Sequence, residues 1–401
     1  MSLLRTRKNI IEYLLSYALT TVATALPHAV LTIILFQKGL SLAQIMMVQT
    51  AYSIAVFIFE YPSGLWADLY SKKFLFVLSR ILLIIMMVIV LLMRNTIWME
   101  IAWFIYGISS ALDSGTLDAD IINSLKKDNK KSKLGRFISI SNQLDFISLL
   151  LGSTIGSWLY YALGIKFYYI GIGLVILAII SILDYKQNVG ASKEDNITLV
   201  KEIKSGLKEV KNSKLMQLMM ALTFSGQFFF QAHYQLWQGL FLYKGFNKHN
   251  FYLLYIIFQL ISLGTYSINL NIKKNKIKII GFSTIVVLSL SMILFLITKS
   301  YYFVFSYMFL IFIFTLVEYY CNVMFSTIVS VERISSLTSL RSSIGRIGAI
   351  CSMVVSSILL TKLNVLDVVA INFGIAIFTT LAIGIVLYSR NRETLFSEKE
   401  E

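Results

Sequence analysis

The feature that most constrains this chain is a succession of long apolar runs joined by short polar connections. Crossing the hydrocarbon core of a bilayer takes about 20 apolar residues at about 1.5 Å each. The runs fall at 10–36, 43–67, 73–93, 97–121, 137–160 and 164–185, and after a polar stretch at 215–243, 249–271, 277–297, 300–328, 336–361 and 365–389. Together they nearly exhaust the 401 residues, which leaves no room for a large soluble domain. Only 14% of the residues are charged, against about 25% in soluble domains, so a water-facing surface could not be covered. The runs also lack the short two-residue alternation of lipid-facing strands, which excludes a β-barrel. The expectation is an all-α integral membrane protein with 12 transmembrane helices in two groups of six.

The net charge of +15 would suggest nucleic acid on a soluble protein, but here its distribution sets topology. Of the 36 Lys and Arg residues, 29 lie in or beside the N-terminus, every second connection and the C-terminus. The other 7 are Lys38, Arg94, Lys166, Lys244, Lys248, Lys299 and Lys362. That asymmetry places both termini in the cytoplasm. The first run is too long for a signal-peptide core and reads as a retained span. The organisation expected is a bundle over 1–185, a linker over 186–214 and a second bundle over 215–401. Within the linker, Leu199, Ile203, Leu207 and Val210 recur at helical spacing among lysines and acids, as in an amphipathic helix along the cytoplasmic surface.

Ionisable residues inside a bilayer are costly and should face a cavity or a partner. Glu60, Asp113, Asp145 and Glu318 fall inside expected helices. The spacing of Ser109, Asp113, Thr116 and Asp120 in span four puts them on one helix face running towards the cytoplasm. For Asp113 and Asp145, proton coupling and a structural hydrogen bond weigh evenly. In span seven, Gln227, Gln231, Gln235 and Gln238 form a stripe beside Phe228, His233, Tyr234 and Trp237. Amides donate and accept without charge, which suits a site for a polar or amphiphilic organic solute. Span ten carries Glu318, Asn322 and Ser326 at four-residue steps. Arg346 reads as a snorkelling residue near the cytoplasmic surface. Gly152 with Gly156, and Gly171 with Gly173, suit close helix crossings. Scattered histidines and two cysteines, Cys321 and Cys351, give no support for a metal or a disulfide framework.

The segment Glu60-Tyr61-Pro62-Ser63-Gly64-Leu65-Trp66-Ala67-Asp68-Leu69-Tyr70-Ser71-Lys72-Lys73 resembles the signature between spans two and three of the major facilitator superfamily. The resemblance implies that Gly64 permits close helix packing, that Asp68 caps and pairs at helix ends, and that Lys72 and Lys73 help hold a closed state. Leu69 and Ser71 stand where the family usually has arginine and a second glycine. Glu60 and Pro62, with Ser114, Gly115, Asp118 and Ala119 of span four, look similar to the bacterial drug and proton antiporter branch. The major facilitator fold moves solute by alternating access of two bundles about a central site.

What the resemblance implies is a secondary transporter of the bacterial cytoplasmic membrane, exporting amphiphilic or cationic organic compounds and driven by a proton gradient, with no other cofactor. Substrate and proton would meet Glu60, Asp113, Asp145, Gln227, Gln231, Gln235, Trp237, Glu318 and Asn322, with Gly64, Asp68, Lys72 and Lys73 as the gate. The alternative is a narrow carrier for a polar metabolite, amino acid, sugar or peptide, which the glutamines favour. A non-transporting receptor or structural protein is the reading from a different class. No Ser-His-Asp or HExxH pattern supports an enzyme. The expected partners are a small organic substrate, protons and lipid, without nucleic acid, and the simplest assembly is a monomer.

Overall fold

The computed structural model describes residues 2–114, 116–127, 131–187, 210–211, 213–266, 290–297, 300–328 and 334–397. The described residues are helical apart from turns, loops and short 3-10 segments. Six stretches among them are long and apolar enough to cross a membrane: 42–60, 72–92, 133–181, 301–322, 340–359 and 365–386. The expected linker helix (188–209), most of span nine (277–289 of 277–297) and the connection before span eleven (329–333) lie outside the described residues. The chain separates into two compact units, Met1–Lys193 with His249–Ile256, and Glu194–Lys248 with Ile257–Glu401.

The first unit begins with α1 (Ser2–Ala25) and α2 (Leu31–Gln37). These were expected as one span and are two helices. Pro27 supplies no N–H for the backbone ladder, and the chain turns through 26–30 on shorter bonds such as His28 N to Ala25 O at 3.0 Å. Next come α3 (Leu42–Leu69) and α4 (Lys72–Leu92). Ser41 and Gln44 form a reciprocal capping box at the start of α3, and the Ser71 hydroxyl accepts from Phe74 N at the start of α4.

Span four also divides, into α5 (Thr96–Asp113) and α6 (Leu117–Lys127). Ser114 turns to extended backbone and the Thr116 hydroxyl donates to Asp113 O at 2.8 Å, a local bond that competes with the helical ladder. The single polar face expected for Ser109, Asp113, Thr116 and Asp120 is therefore split between two helices. The unit continues with α7 (Lys131–Leu163) and, after a 3-10 turn at Gly164–Phe167, α8 (Tyr168–Ser181).

Within this unit α5 lies against α3 and α4, and α1 against α7 and α8. Gly152 and Gly156 make the last approach close. A Cβ at Gly152 would come within 2.8 Å of Val22 O, and one at Gly156 would strike the Leu26 carbonyl beside the α1 break. The second glycine pair behaves differently: a Cβ at Gly171 would meet only ordinary contacts, and one at Gly173 would meet nothing. Tyr13, Phe76, Leu117, Ile121, Leu125, Phe137, Ile182 and Tyr185 form a buried cluster that joins α1, α4, α6, α7 and the end of α8.

The second unit contains α9 (Lys214–Tyr243), α11 (Ser300–Ile328), α12 (Ile334–Leu359) and α13 (Val365–Ser397). The helix α10 (Phe251–Tyr266) precedes α11, and its residues from Ile257 onward group with this unit. Its core is a stack of rings. Phe229 of α9 lies 3.9 Å from Phe314 of α11 and 4.2 Å from Phe373 of α13, centroid to centroid. Buried polar groups are paired: His233 Nδ1 lies 2.8 Å from Tyr307 Oη, and Asn372 donates to Ser356 Oγ at 3.0 Å while accepting from Ser352 Oγ at 3.2 Å.

Candidate functional site

The second unit encloses a cavity of about 420 Å³, counting its open side, between α9, α11, α12 and α13. Thr223, Gln227 and Phe230 of α9, Phe314, Glu318 and Cys321 of α11, Arg341 of α12 and Thr380 of α13 line it. Of the residues anticipated from sequence, it brings together Gln227 and Glu318. Gln231 donates through Nε2 to Gln227 Oε1 at 3.1 Å and so orients that amide. Gln235 and Asn322 are half-buried and outside the lining. Trp237, expected at the site, is 4% exposed and belongs to the core, with its ring 5.3 Å from that of Phe258. Gln238 is likewise buried.

Arg341 is not among the site residues expected from sequence. Its Nε donates to Thr223 Oγ1 at 2.8 Å and its guanidinium lies 5.0 Å from the Phe325 ring centroid. The cavity thus holds a carboxylate and a guanidinium, and among the described residues no ion pair joins them.

The first unit has its own buried charges. Arg80 is only 2% exposed, and its Nη2 lies 2.9 Å from Asp113 Oδ1. The approach is close enough for an ion pair but out of line for a hydrogen bond, and Nη1 donates to Ser79 Oγ at 3.1 Å. The Phe76 ring lies 4.0 Å from the guanidinium carbon. Arg80 had been counted with the topology-setting charges; the structure instead places it inside the helical packing, on α4 facing α5. Ser109, on the same face of α5, donates to Ser79 O at 2.7 Å.

The other acids go to different neighbours. Tyr17 of α1 donates to Asp145 Oδ1 of α7 at 2.8 Å, and Tyr185 donates to Asp120 Oδ2 at 2.7 Å. Asp118 leaves Oδ1 buried without a hydrogen-bond partner. Glu60 is exposed on α3.

Around the anticipated gate, Gly64 is exposed, and among the described residues an added Cβ would meet no atom within 4 Å. The side chain of Asp68 lies outside the described set. Lys72 is half-buried. Lys73 Nζ donates to Leu183 O and, at 3.2 Å, to Tyr185 O, covering carbonyls beyond the end of α8. Lys8 Nζ meets Asp184 at 3.0 Å at the same end of the unit, and their pairing holds the Asp184 carboxyl below its ordinary range. Among the described residues no group of three potential metal ligands occurs.

Long apolar helices with buried charges define a multi-pass helical membrane protein. A sequence profile of the Major Facilitator Superfamily matches residues 13–331, and the chain belongs to that family. It is therefore a secondary transporter of small molecules across a membrane, and not an enzyme. No curated protein matches it by sequence. Among solved structures it is similar to the nucleoside transporter NupG (16% identity, TM-score 0.74, covering 94% of this chain and 98% of that one). It is also similar to the POT family transporter PepTSo (11% identity, TM-score 0.67, 96% and 98% covered). A third likeness is to a bacterial homolog of the human lysosomal transporter Spinster, solved inward-facing and unoccupied (13% identity, TM-score 0.64, 95% of each chain covered). At these identities the likeness shows the fold alone.

Proposed function

We propose that the protein is a carrier of narrow specificity for a small polar metabolite. The observation that carries this reading is the cavity where Gln227, Glu318 and Arg341 converge on about 420 Å³, counting its open side. The polar groups of this cavity favour a solute that can hydrogen-bond. Similarity in fold to a nucleoside transporter and to a POT family transporter supports the same direction. Proton-driven export of amphiphilic cations is the second reading, resting on the resemblance of Glu60 and Pro62, with Ser114, Gly115, Asp118 and Ala119, to the drug and proton antiporter branch.

The mechanism proposed is alternating access of two six-helix bundles, 1–185 and 215–401, joined by 186–214, with both termini in the cytoplasm of a bacterial cell and the chain acting as a monomer. A proton gradient supplies the energy, with Asp113 and Asp145 as coupling groups in the first unit. Lys72 and Lys73 act at the gate with Asp68. The test is uptake into proteoliposomes under imposed proton or sodium gradients, presenting nucleosides, hexoses, amino acids, dipeptides and lipophilic cations. Saturable uptake of one polar class is expected. Movement of lipophilic cations alone would transfer support to the export reading.

A further inference from the structure

The cavity of the second unit holds two opposite charges that do not satisfy each other. Arg341 spends Nε on Thr223 and rests on the Phe325 ring, and neither terminal amino group has a protein partner among the described residues. A guanidinium anchored in this way presents its paired end as a fork, the geometry that grips a carboxylate through two parallel bonds. Across the lining, the half-buried Glu318 carboxylate takes no hydrogen bond and no ion pair from any described residue. Two unpaired charges in a site with apolar walls are costly, and they are kept apart although they face one cavity.

A solute with a single charge would relieve one of them and leave the other exposed. A solute carrying an ammonium and a carboxylate relieves both. We infer that the cavity takes a zwitterion, an α-amino acid or very short peptide, with its carboxylate on Arg341 and its ammonium on Glu318. Gln227, whose Oε1 is occupied by Gln231, offers its NH₂ as a further donor to the solute. This rests on the carrier reading above and names the chemical class for that site.

The test uses the full chain in proteoliposomes with the twenty common α-amino acids and glycylglycine, followed by the methyl ester and the desamino acid of whichever is taken up best. Saturable uptake of the zwitterion is expected, with a roughly tenfold loss of apparent affinity when either charge is removed. Arg341→Lys, which keeps the charge and loses the fork, should raise the KM for the zwitterion by a similar factor. Glu318→Gln should let the desamino acid compete as well as its parent. Thermal shift of the wild-type protein by the same three compounds gives an independent reading if a variant does not fold. Equal recognition of ester, desamino acid and parent overturns the inference. So does uptake of a nucleoside or hexose with no competition from any amino acid, and in that case the carrier reading stands. If no polar solute moves under any gradient, the carrier reading fails and this inference falls with it.

Discussion

Arg80 and Asp113 meet at 2.9 Å between α4 and α5, the arginine 2% exposed and the aspartate side chain 31% exposed. The guanidinium is thus sealed by packing while its counter-ion stays partly exposed. Tyr13 and Tyr17 of α1, Tyr106 of α5 and Asp118 of α6 lie in the field of the same carboxylate.

Removing one member of this pair strands the other. Arg80→Met or Asp113→Leu should each cost about 3–5 kcal/mol of stability, and the double variant should recover much of it. Thermal unfolding of the purified proteins in one detergent checks this. Additive losses in the double variant would show that the two charges do not interact.

The crossing of α7 over the α1 break depends on a missing side chain. Gly156→Leu should abolish accumulation of folded protein, since its Cβ would strike the Leu26 carbonyl. Gly173→Ala, with open space at that position, should be neutral or stabilising by up to about 1 kcal/mol. Fluorescence-detected size-exclusion chromatography separates the two outcomes.

Asn372 is fully buried and joins Ser352 and Ser356 of α12 to α13. Asn372→Leu fills similar volume but leaves two serine hydroxyls without it, for a loss of roughly 1–3 kcal/mol. An unchanged unfolding temperature would mean that the serines find their own backbone carbonyls instead.

Lys8 and Asp184 give a pH dependence whose sign follows from their pairing. The folded-state carboxyl of Asp184 is held below its ordinary value by Lys8, so its contribution is present at neutral pH and is lost as pH falls through that depressed value. Both side chains are well exposed, so the effect is small and weakens in salt. Unfolding temperatures taken from neutral to acid pH at two salt concentrations should show a shallow decline that Asp184→Asn flattens.

Much of the helical layout was legible because membrane spans are written as apolar length. The runs expected at 73–93, 215–243 and 300–328 correspond to Lys72–Leu92, Lys214–Tyr243 and Ser300–Ile328 within one residue at either end. The breaks at Pro27 and Ser114 carry sequence signals, a proline and the polar run Asp113-Ser114-Gly115-Thr116, but each lies inside a run long enough to read as a single span. The site was less legible. Arg80 and Arg341 were taken into the count that set topology, because a long aliphatic stem lets the same residue reach water or turn inward. Arg80 stands eight residues beyond Lys72, about 12 Å along the helix, and that depth was the available signal. For Arg341 the decisive fact is its approach to Thr223, more than a hundred positions away in the chain.

Phe314 faces the cavity on one side and stacks on Phe229 on the other, and Phe229 is backed in turn by Phe373. Rings packed to interior density cannot swing aside one at a time. That wall is consequently a fixed template rather than an adaptable lining, and a bulkier solute gains no room from side-chain rearrangement there. On the carrier reading proposed above, selection by shape would rest on the same three rings that hold α9, α11 and α13 together, so widening the solute range by mutation would be drawn directly from the stability of the unit.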